Sequence, residues 1–210
     1  MCFDKETSIV TYTIGTISSL GLLKSKNNAF VMSGAFFLFV TQMQVIEYLL
    51  WKNYECNNRN RTISNIGSIL NHIQPIFLYF IIKYFNKNLS VNKKSILNMI
   101  ILLYITSLIL YSKNVYPLEC TTLTDTKPPH LEWKWNHKKH YTKFYLIFLI
   151  SVILLIYIGF PKPYNIYLAI ICLGTYIGSY LLYTDKNVTG AVWCWLAALI
   201  PFLLLIIDSI

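Results

Sequence analysis

Long apolar runs alternate with short polar segments along the whole chain. Seven such runs cover residues 8–23, 30–51, 63–82, 95–111, 142–160, 165–183 and 188–207. The first is rich in Ser, Thr and Gly, and the third carries Asn, His and Gln. The hydrocarbon core of a bilayer is about 30 Å thick and is crossed by about 20 apolar residues of α-helix. The pattern therefore predicts seven transmembrane helices in a single domain over residues 1–210.

The composition agrees with an apolar surrounding. Hydrophobic residues make up 55% of the chain and charged residues 13%, whereas soluble domains have about 45–50% and about 25%. Strands of a transmembrane β-barrel alternate in polarity over about ten residues, and these runs do not alternate. The predicted fold class is all-α integral membrane, and the lipid bilayer is the first expected partner.

The distribution of charge predicts how the helices are oriented. The formal net charge is +9, but the basic residues lie in loops, where Lys and Arg set topology and contact anionic lipid, so we expect no nucleic-acid partner. Seven helices put the N-terminus and the long loop 113–140 on one side, face A, and the C-terminus on the other, face B. Lys is densest in the short face B loops. The N-terminus is therefore predicted outside or in a lumen and the C-terminus in the cytoplasm, in a plasma membrane or endomembrane.

Two cysteines and two glycosylation sequons lie on face A. Cys56 and Cys120 occupy different face A loops, and an oxidising compartment would allow a disulfide between them. Their spacing alone leaves open whether they pair. The sequons at Asn60 and Asn187 are on face A, whereas a third at Asn88 is on face B.

Two segments of similar sequence suggest an internal repeat. Residues 47–51 (EYLLW) and 179–183 (SYLLY) each close an apolar run, and Pro75 and Pro201 follow in the next run of each half. The order predicts parallel copies of helices 1–3 and 5–7 joined by helix 4, although abundant Leu and Tyr also give such matches by chance. This arrangement resembles the 3+1+3 plan of the SWEET and PQ-loop transporters. Only the reversed dipeptide Gln74-Pro75 is present, so the likeness is one of fold.

Polar residues within predicted helices 2 and 3 are candidates for a binding site. Gln44 and Glu47 share one face of helix 2, and Asn65, Ser68 and His72 follow one stripe of helix 3. A short loop makes these helices antiparallel neighbours, so the two sets lie at similar depths. A substrate or proton site is one interpretation, because ionisable groups inside membranes are usually functional. The alternative is that Glu47 reaches the interface and His72 makes interhelical hydrogen bonds.

Small residues predict close helix packing. Gly174 and Gly178 form a GxxxG pattern on helix 6, which we interpret as packing inside the bundle, with the seam of a homo-oligomer as the alternative. A similar stripe on helix 1 consists of Ser8, Thr11, Gly15 and Ser18.

The end of the long loop is rich in groups that bind metals or membranes. Residues 130–140 contain three histidines, two tryptophans and three lysines. No second cysteine lies at a zinc-like spacing from Cys120 and the lysines repel a cation, so we predict no metal site and no cofactor. The tryptophans and lysines indicate an interfacial belt or a short surface helix. A lid over the face A mouth of the bundle is the alternative.

The N-terminal third resembles a known protein family. The residues that carry the resemblance are Met1-Cys2-Phe3, Ser8, Gln44, Glu47 and Trp51. They are similar to an uncharacterised family of small multi-pass membrane proteins that begin Met-Cys-Phe-Ser-Ala, from which this chain departs at Asp4 and Lys5. The resemblance implies placement in a membrane and draws attention to Cys2, Gln44 and Glu47, but it implies no activity.

Three functions are compatible with these features. The first is a transporter or channel for a small solute, an ion or a proton, with its polar site between helices 2 and 3. The second is a hydrolase-like intramembrane enzyme, which is disfavoured because His72 and Glu47 are few groups for such chemistry. The third is a non-catalytic receptor or scaffold that binds through the face A loop. We therefore assign no catalytic residue.

Overall fold

The computed structural model describes residues 4–116, 118–136, 138–183 and 188–209. The helices are α1 (Lys5–Leu22), α2 (Asn28–Val40), α3 (Gln42–Trp51), α4 (Asn58–His72), α5 (Gln74–Phe85), α6 (Val91–Val115), α7 (Tyr141–Gly159), α8 (Tyr164–Leu182) and α9 (Thr189–Ser209). Two short antiparallel strands, β1 (Thr122–Leu123) and β2 (Leu131–Glu132), and a 3-10 turn at Lys134–Asn136 lie in the loop between α6 and α7. The predicted all-α architecture is confirmed.

Five helical segments of the described chain are long and apolar enough to cross a membrane. They are Asn28–Lys52, which joins α2 and α3, and the helices α6, α7, α8 and α9. A sixth is present if α4 and α5, which meet at a bend of 43°, form one span. α1 corresponds to the remaining predicted span, but it is not among the segments that are long and apolar enough to cross a membrane.

The bend between α4 and α5 lies where the sequence places a proline. Pro75 is in the first turn of α5, and a proline ring removes one backbone hydrogen bond and clashes with the preceding turn of a helix. The carbonyl oxygen of His72, at the bend, accepts a hydrogen bond from Tyr104 Oη of α6 at 2.5 Å. Pro201, its counterpart in the predicted repeat, lies inside the continuous helix α9.

Contacts between loops show that the chain runs up and down through one bundle. At face B, Ser25 Oγ donates to Asp208 Oδ1 at 2.8 Å, and Asn86 Nδ2 donates to the carbonyl of Gly159 at 2.8 Å. Asn28 Nδ2, at the start of α2, donates to the carbonyl of Phe85 at the end of α5 at 3.3 Å. The loops after α1, α5 and α7 and the end of α9 are therefore at the same end. Asp4 caps the start of α1 at the opposite end, where hydrogen bonds from Thr7 hold the pKa of its carboxyl below its usual value.

The small-residue stripe of α1 faces the interior, as predicted. Ser8, Thr11, Gly15 and Ser18 are all buried. A Cβ atom added to Gly15 would lie 2.5 Å from the carbonyl oxygen of Ala198 on α9 and 2.6 Å from Cγ2 of Thr41. Glycine at this position therefore allows α1 to approach α9 closely.

The prediction that Gly174 and Gly178 pack inside the bundle is wrong. A Cβ atom added to either would meet no described atom within 4 Å. The buried face of α8 is formed instead by Asn165, Leu168, Cys172 and Ser179. Spacing identified the glycines as neighbours on one face of α8, but it did not determine which face of α8 turns inward.

Gly15 is tightly packed and Gly174 faces open space, so replacement by alanine should affect stability differently at the two positions. Gly15→Ala should lower the thermal unfolding midpoint in detergent, because overpacking against a backbone carbonyl costs about 1–3 kcal/mol. Gly174→Ala should leave the midpoint unchanged or raise it, because Ala is favoured over Gly in helices by about 1 kcal/mol. Scanning fluorimetry of the purified variants measures both midpoints. Equal midpoints for Gly15→Ala and Gly174→Ala would contradict the packing of α1 on α9.

Candidate functional site

The long loop is fastened to the bundle at face A by a disulfide. Cys56 and Cys120 are bonded, with an S–S distance of 2.11 Å and a Cα–Cα distance of 5.4 Å. The bond joins the segment between α3 and α4 to the loop between α6 and α7. Both segments therefore lie at the same end of the bundle.

The side chain of Asn60 holds the same part of the loop. Its Nδ2 donates to the carbonyl of Thr121 at 2.9 Å, and its Oδ1 accepts from the amide of Thr121 at 3.0 Å. Ser64 Oγ lies 2.8 Å from Thr121 Oγ1. Asn60 has no exposed surface, and its Nδ2 is occupied by hydrogen bonds to the carbonyls of Asn53 and Thr121, so this fold leaves no room for a glycan on it. The sequon at Asn187 lies outside the described residues.

The two loop tryptophans are buried in the mouth of the bundle. The rings of Trp133 and Trp135 stack with centroids 4.9 Å apart, and both side chains are almost fully buried. Tyr111 Oη of α6 donates to the carbonyl of Trp135 at 2.5 Å. A Cβ atom on Gly67 of α4 would lie 3.2 Å from the Trp135 ring. The prediction that these tryptophans form an interfacial belt or an exposed surface helix is therefore wrong. The described loop residues 118–136 instead pack over the mouth of the bundle, and we call this segment the lid.

His72 belongs to a hydrogen-bonded cluster that extends toward α7. Its Nδ1 lies 3.4 Å from Ser68 Oγ, and its Nε2 lies 3.0 Å from Tyr145 Oη. Asn71 Nδ2 also donates to Tyr145 Oη, at 3.1 Å. The imidazole meets the ring of Phe144 edge to face, with centroids 5.1 Å apart. These hydrogen bonds join two of the predicted site residues, Ser68 and His72, and direct them toward α7.

The other candidates lie on different surfaces of the interior. Gln44 and Glu47 of α3 are fully buried. Neither amide atom of Gln44 has a hydrogen-bond partner among the residues described. Asn65 is partly exposed on α4. A substrate or proton site that unites Gln44 and Glu47 with His72 stays a prediction.

A cavity lies beneath the lid, between α4, α7, α8 and α9. This outer cavity has a volume of about 120 Å³. Its lining includes Asn71, Asn136, Tyr145, Tyr176, Thr189 and Trp193. Asn136 belongs to the lid, and its Nδ2 would lie 2.6 Å from a Cβ atom on Gly190. The lid therefore contributes directly to the wall of this cavity.

Two polar atoms of the outer cavity are buried without a partner. Asn136 Oδ1 and Thr189 Oγ1 have no hydrogen-bond partner within the described chain, and the two residues are only 8% and 6% exposed. A buried polar group left unsatisfied costs about 1–3 kcal/mol. Such groups therefore indicate a position where water or a solute supplies the missing hydrogen bonds.

A second, smaller cavity lies deeper in the bundle. This central cavity has a volume of about 40 Å³ and is lined mainly by apolar side chains of α2, α5, α7, α8 and α9. Trp193 lines both cavities, and its Nε1 donates to Thr175 Oγ1 at 3.1 Å. The indole ring of Trp193 therefore separates a polar outer cavity from an apolar central one.

The residues around these cavities carry no formal charge. Among the described residues that line either cavity there is no Asp, Glu, Lys, Arg or His. The described part of the chain also has no group of three His, Cys, Asp or Glu side chains placed to hold a metal ion. The described side chains at the outer cavity can donate and accept hydrogen bonds and make aromatic contacts.

Sequence reasoning found part of this site. Ser68 and His72 contact Tyr145, which lines the outer cavity, but Asn136, Thr189 and the tyrosines were missed. A signal was present, because Tyr141 and Tyr145 of α7 and Tyr176 and Tyr180 of α8 are each spaced by four residues and all four line the cavity. Comparison of this chain with models of protein families, with curated proteins and with solved structures finds no match.

The disulfide gives a direct test of how the lid is attached. On a non-reducing gel, Cys56→Ser should migrate more slowly than wild type, because it loses the link that closes a segment 64 residues long. Reduction should shift wild type to the same position and leave Cys56→Ser unchanged. Cys194→Ser is the matched control, since Cys194 is a buried free thiol, and it should behave like wild type. Identical migration of all samples before and after reduction would exclude the bond.

Proposed function

We propose that this protein is a multi-pass membrane transporter or channel for a small uncharged solute, and that the outer cavity is its solute site. The observation that carries the proposal is the pair of unsatisfied, buried polar atoms on Asn136 and Thr189 at that cavity. Tyr145 Oη, positioned by Asn71 and His72, adds a third polar group. These groups match a solute that both donates and accepts hydrogen bonds.

The proposal includes α1 as a seventh span. Its outward surface includes Ile9, Val10, Ile14, Ile17 and Leu20, which are between 36% and 63% exposed, while its small residues Ser8, Thr11, Gly15 and Ser18 face inward. A surface helix in water shows the reverse pattern. Apolar residues outside and small polar residues inside are typical of a helix surrounded by lipid. The 3+1+3 repeat needs seven spans and stays a prediction.

The disulfide supports the predicted orientation. Disulfides form and persist in extracellular and lumenal compartments and are rare in the cytosol. The Cys56–Cys120 bond is at face A, and the short face B loops are the ones dense in Lys. Both features favour face A outside the cytoplasm, which would place the outer cavity on the extracellular or lumenal side.

A charged solute is disfavoured by the lining of the cavity. An ion that leaves water needs opposite charges or several aligned dipoles to replace its hydration, and the lining described above has no charged side chain. Glu47 and His72, the ionisable groups on which the proton site was predicted, do not line the cavity. In the proposed function His72 is a positioning residue for Tyr145.

A hydrolase is a second candidate because Ser68 and His72 form a pair. Their 3.4 Å separation is slightly longer than the 2.6–3.2 Å expected between a nucleophile and its base. Ser68 has no exposed surface, however, and it lines neither cavity. A substrate has no route to the hydroxyl in this arrangement, and we therefore favour transport.

Flux through purified protein tests the proposal. Phosphatidylcholine vesicles containing the protein should reswell faster than empty vesicles after hyperosmotic shock with urea, glycerol or erythritol, as followed by light scattering. Tyr145→Phe and Thr189→Val should each slow this reswelling by about fivefold, because loss of one hydrogen bond costs about 1 kcal/mol. Ser68→Ala should leave the rate close to that of wild type, whereas a hydrolase would need this hydroxyl.

The chain provides matched controls for both substitutions. Tyr157→Phe is the same change on an exposed surface of α7, and Thr106→Val is the same change on an exposed surface of α6. Both controls should retain wild-type rates. Reswelling no faster than in empty vesicles for all three solutes would refute transport of this solute class.

A further inference from the structure

The central cavity differs from the outer cavity in its polarity and in its connection to the bilayer. Its apolar wall includes Phe36, Phe37, Ile156 and Ile200. Leu168 and Ile171 of α8 line this cavity and also line a wider groove of about 410 Å³ between α2, α8 and α9. The groove therefore adjoins the central cavity at these two side chains, on the outer side of α8.

The groove faces the region where lipid chains would lie. Tyr167 and Ile170 of α8 are 58% and 62% exposed, and Ile207 of α9 is 54% exposed. All three line the groove, and Ile207 is close to the face B end of the bundle. A molecule dissolved in the face B leaflet could enter the groove sideways without passing through water.

One polar group in the central cavity lacks a partner. Gln74 lines the cavity and is 5% exposed, and its Nε2 has no hydrogen-bond partner in the described part of the chain. An unsatisfied amide in an apolar site costs about 1–3 kcal/mol. A ligand with an uncharged oxygen at this depth would remove that cost. The apolar remainder of the site would then contact the rest of the ligand.

We propose that the central cavity and the groove bind one membrane-dissolved neutral lipid, whose single carbonyl or hydroxyl oxygen accepts a hydrogen bond from Gln74 and whose apolar chain extends along α8 and α9 to face B. The described residues of this lining include no charged side chain, so they offer an ionic headgroup no opposite charge. From Ala197 to Ile207 the site extends about 15 Å, at about 1.5 Å per helical residue. This length suits an extended hydrocarbon chain.

This inference does not depend on transport, because the two cavities lie on opposite sides of Trp193. A lipid in the central cavity would contact the Trp193 ring from below, while a solute in the outer cavity would contact it from above. The lipid is therefore a ligand separate from the solute, and it is bound by the apolar wall of the central cavity and by the side-chain amide of Gln74.

Photolabelling of the whole protein tests the site. The protein is placed in phosphatidylcholine nanodiscs with a diazirine-bearing hexadecanol as the probe, irradiated, digested and mapped by mass spectrometry. We expect saturable labelling of the α5, α8 and α9 residues that line the central cavity, and displacement of the probe by excess octadecanol. A diazirine-bearing phosphatidylcholine should label exposed residues without saturation.

Two substitutions distinguish the site from ordinary lipid contact. Gln74→Leu should raise the probe concentration for half-saturation by about threefold to tenfold, since it removes the hydrogen-bond donor while keeping the side-chain size. Its control is Gln42→Leu, because Gln42 already donates to the carbonyl of Leu38 at 2.9 Å. Ala197→Phe should abolish saturable labelling by filling the cavity, whereas Leu173→Phe on the exposed side of α8 should not.

Saturation of the labelling, and its change in the two glutamine variants, show whether the lipid site exists. Saturable labelling that weakens in Gln74→Leu and not in Gln42→Leu supports the neutral-lipid site. Labelling without saturation, equal half-saturation in Gln74→Leu and wild type, or equal labelling of the cavity by the phosphatidylcholine probe would overturn it. Unfolding midpoints of all four variants, measured in the same nanodiscs, verify that each is folded.

Discussion

The structure depends on a reversal of polarity that is compatible with a lipid surrounding. Large apolar side chains such as Leu102, Leu181 and Phe80 are more than half exposed, while Gln44, Ser64 and Ser68 are fully buried. In lipid, helices gain little from hiding apolar surface, so close packing and internal hydrogen bonds hold them together. The narrow approach of α1 to α9 and the hydrogen bonds that satisfy the bend between α4 and α5 both follow from this requirement.

The same requirement explains how a polar loop can close one end of the bundle. Backbone N–H and C=O groups of a buried loop need hydrogen-bond partners. The side chain of Asn60 provides a partner for both the amide and the carbonyl of Thr121. The disulfide holds the same segment. With the loop fixed there, the aromatic rings of Trp133 and Trp135 fill the mouth between the helices. The outer cavity therefore has one wall that comes from outside the helices, and one of its two unsatisfied polar atoms, Asn136 Oδ1, belongs to the lid.

The apolar runs predicted where the helices lie, but they predicted neither the breaks at Thr41 and Ile73, which divide two of the predicted helices, nor the neighbours of each helix. The spacing of Ser68 and His72 placed them on one stripe of α4, and they are hydrogen-bonded as a consequence. Which helix they face depends on the bend at Pro75 and on the rotation of α4, neither of which is encoded in spacing. Spacing likewise placed Gly174 and Gly178 on one face of α8 without showing that this face turns away from the bundle. The burial of Trp133 could not be predicted because its sequence neighbours are charged, and the tertiary contacts that hold the loop, at Asn60 and at the Cys56–Cys120 disulfide, bring it inside.

The contrast between the cavities on the two sides of Trp193 has a thermodynamic consequence. Each contains buried polar atoms that lack partners, and each such atom costs about 1–3 kcal/mol, a large fraction of the marginal stability of a folded chain. The outer cavity is polar enough to bind water or a solute through several contacts. The central cavity has an apolar wall around a single unsatisfied amide, and water would find too few partners there. A ligand that is mostly hydrocarbon with one oxygen satisfies both the wall and the amide, so the physical character of each cavity selects a different class of molecule.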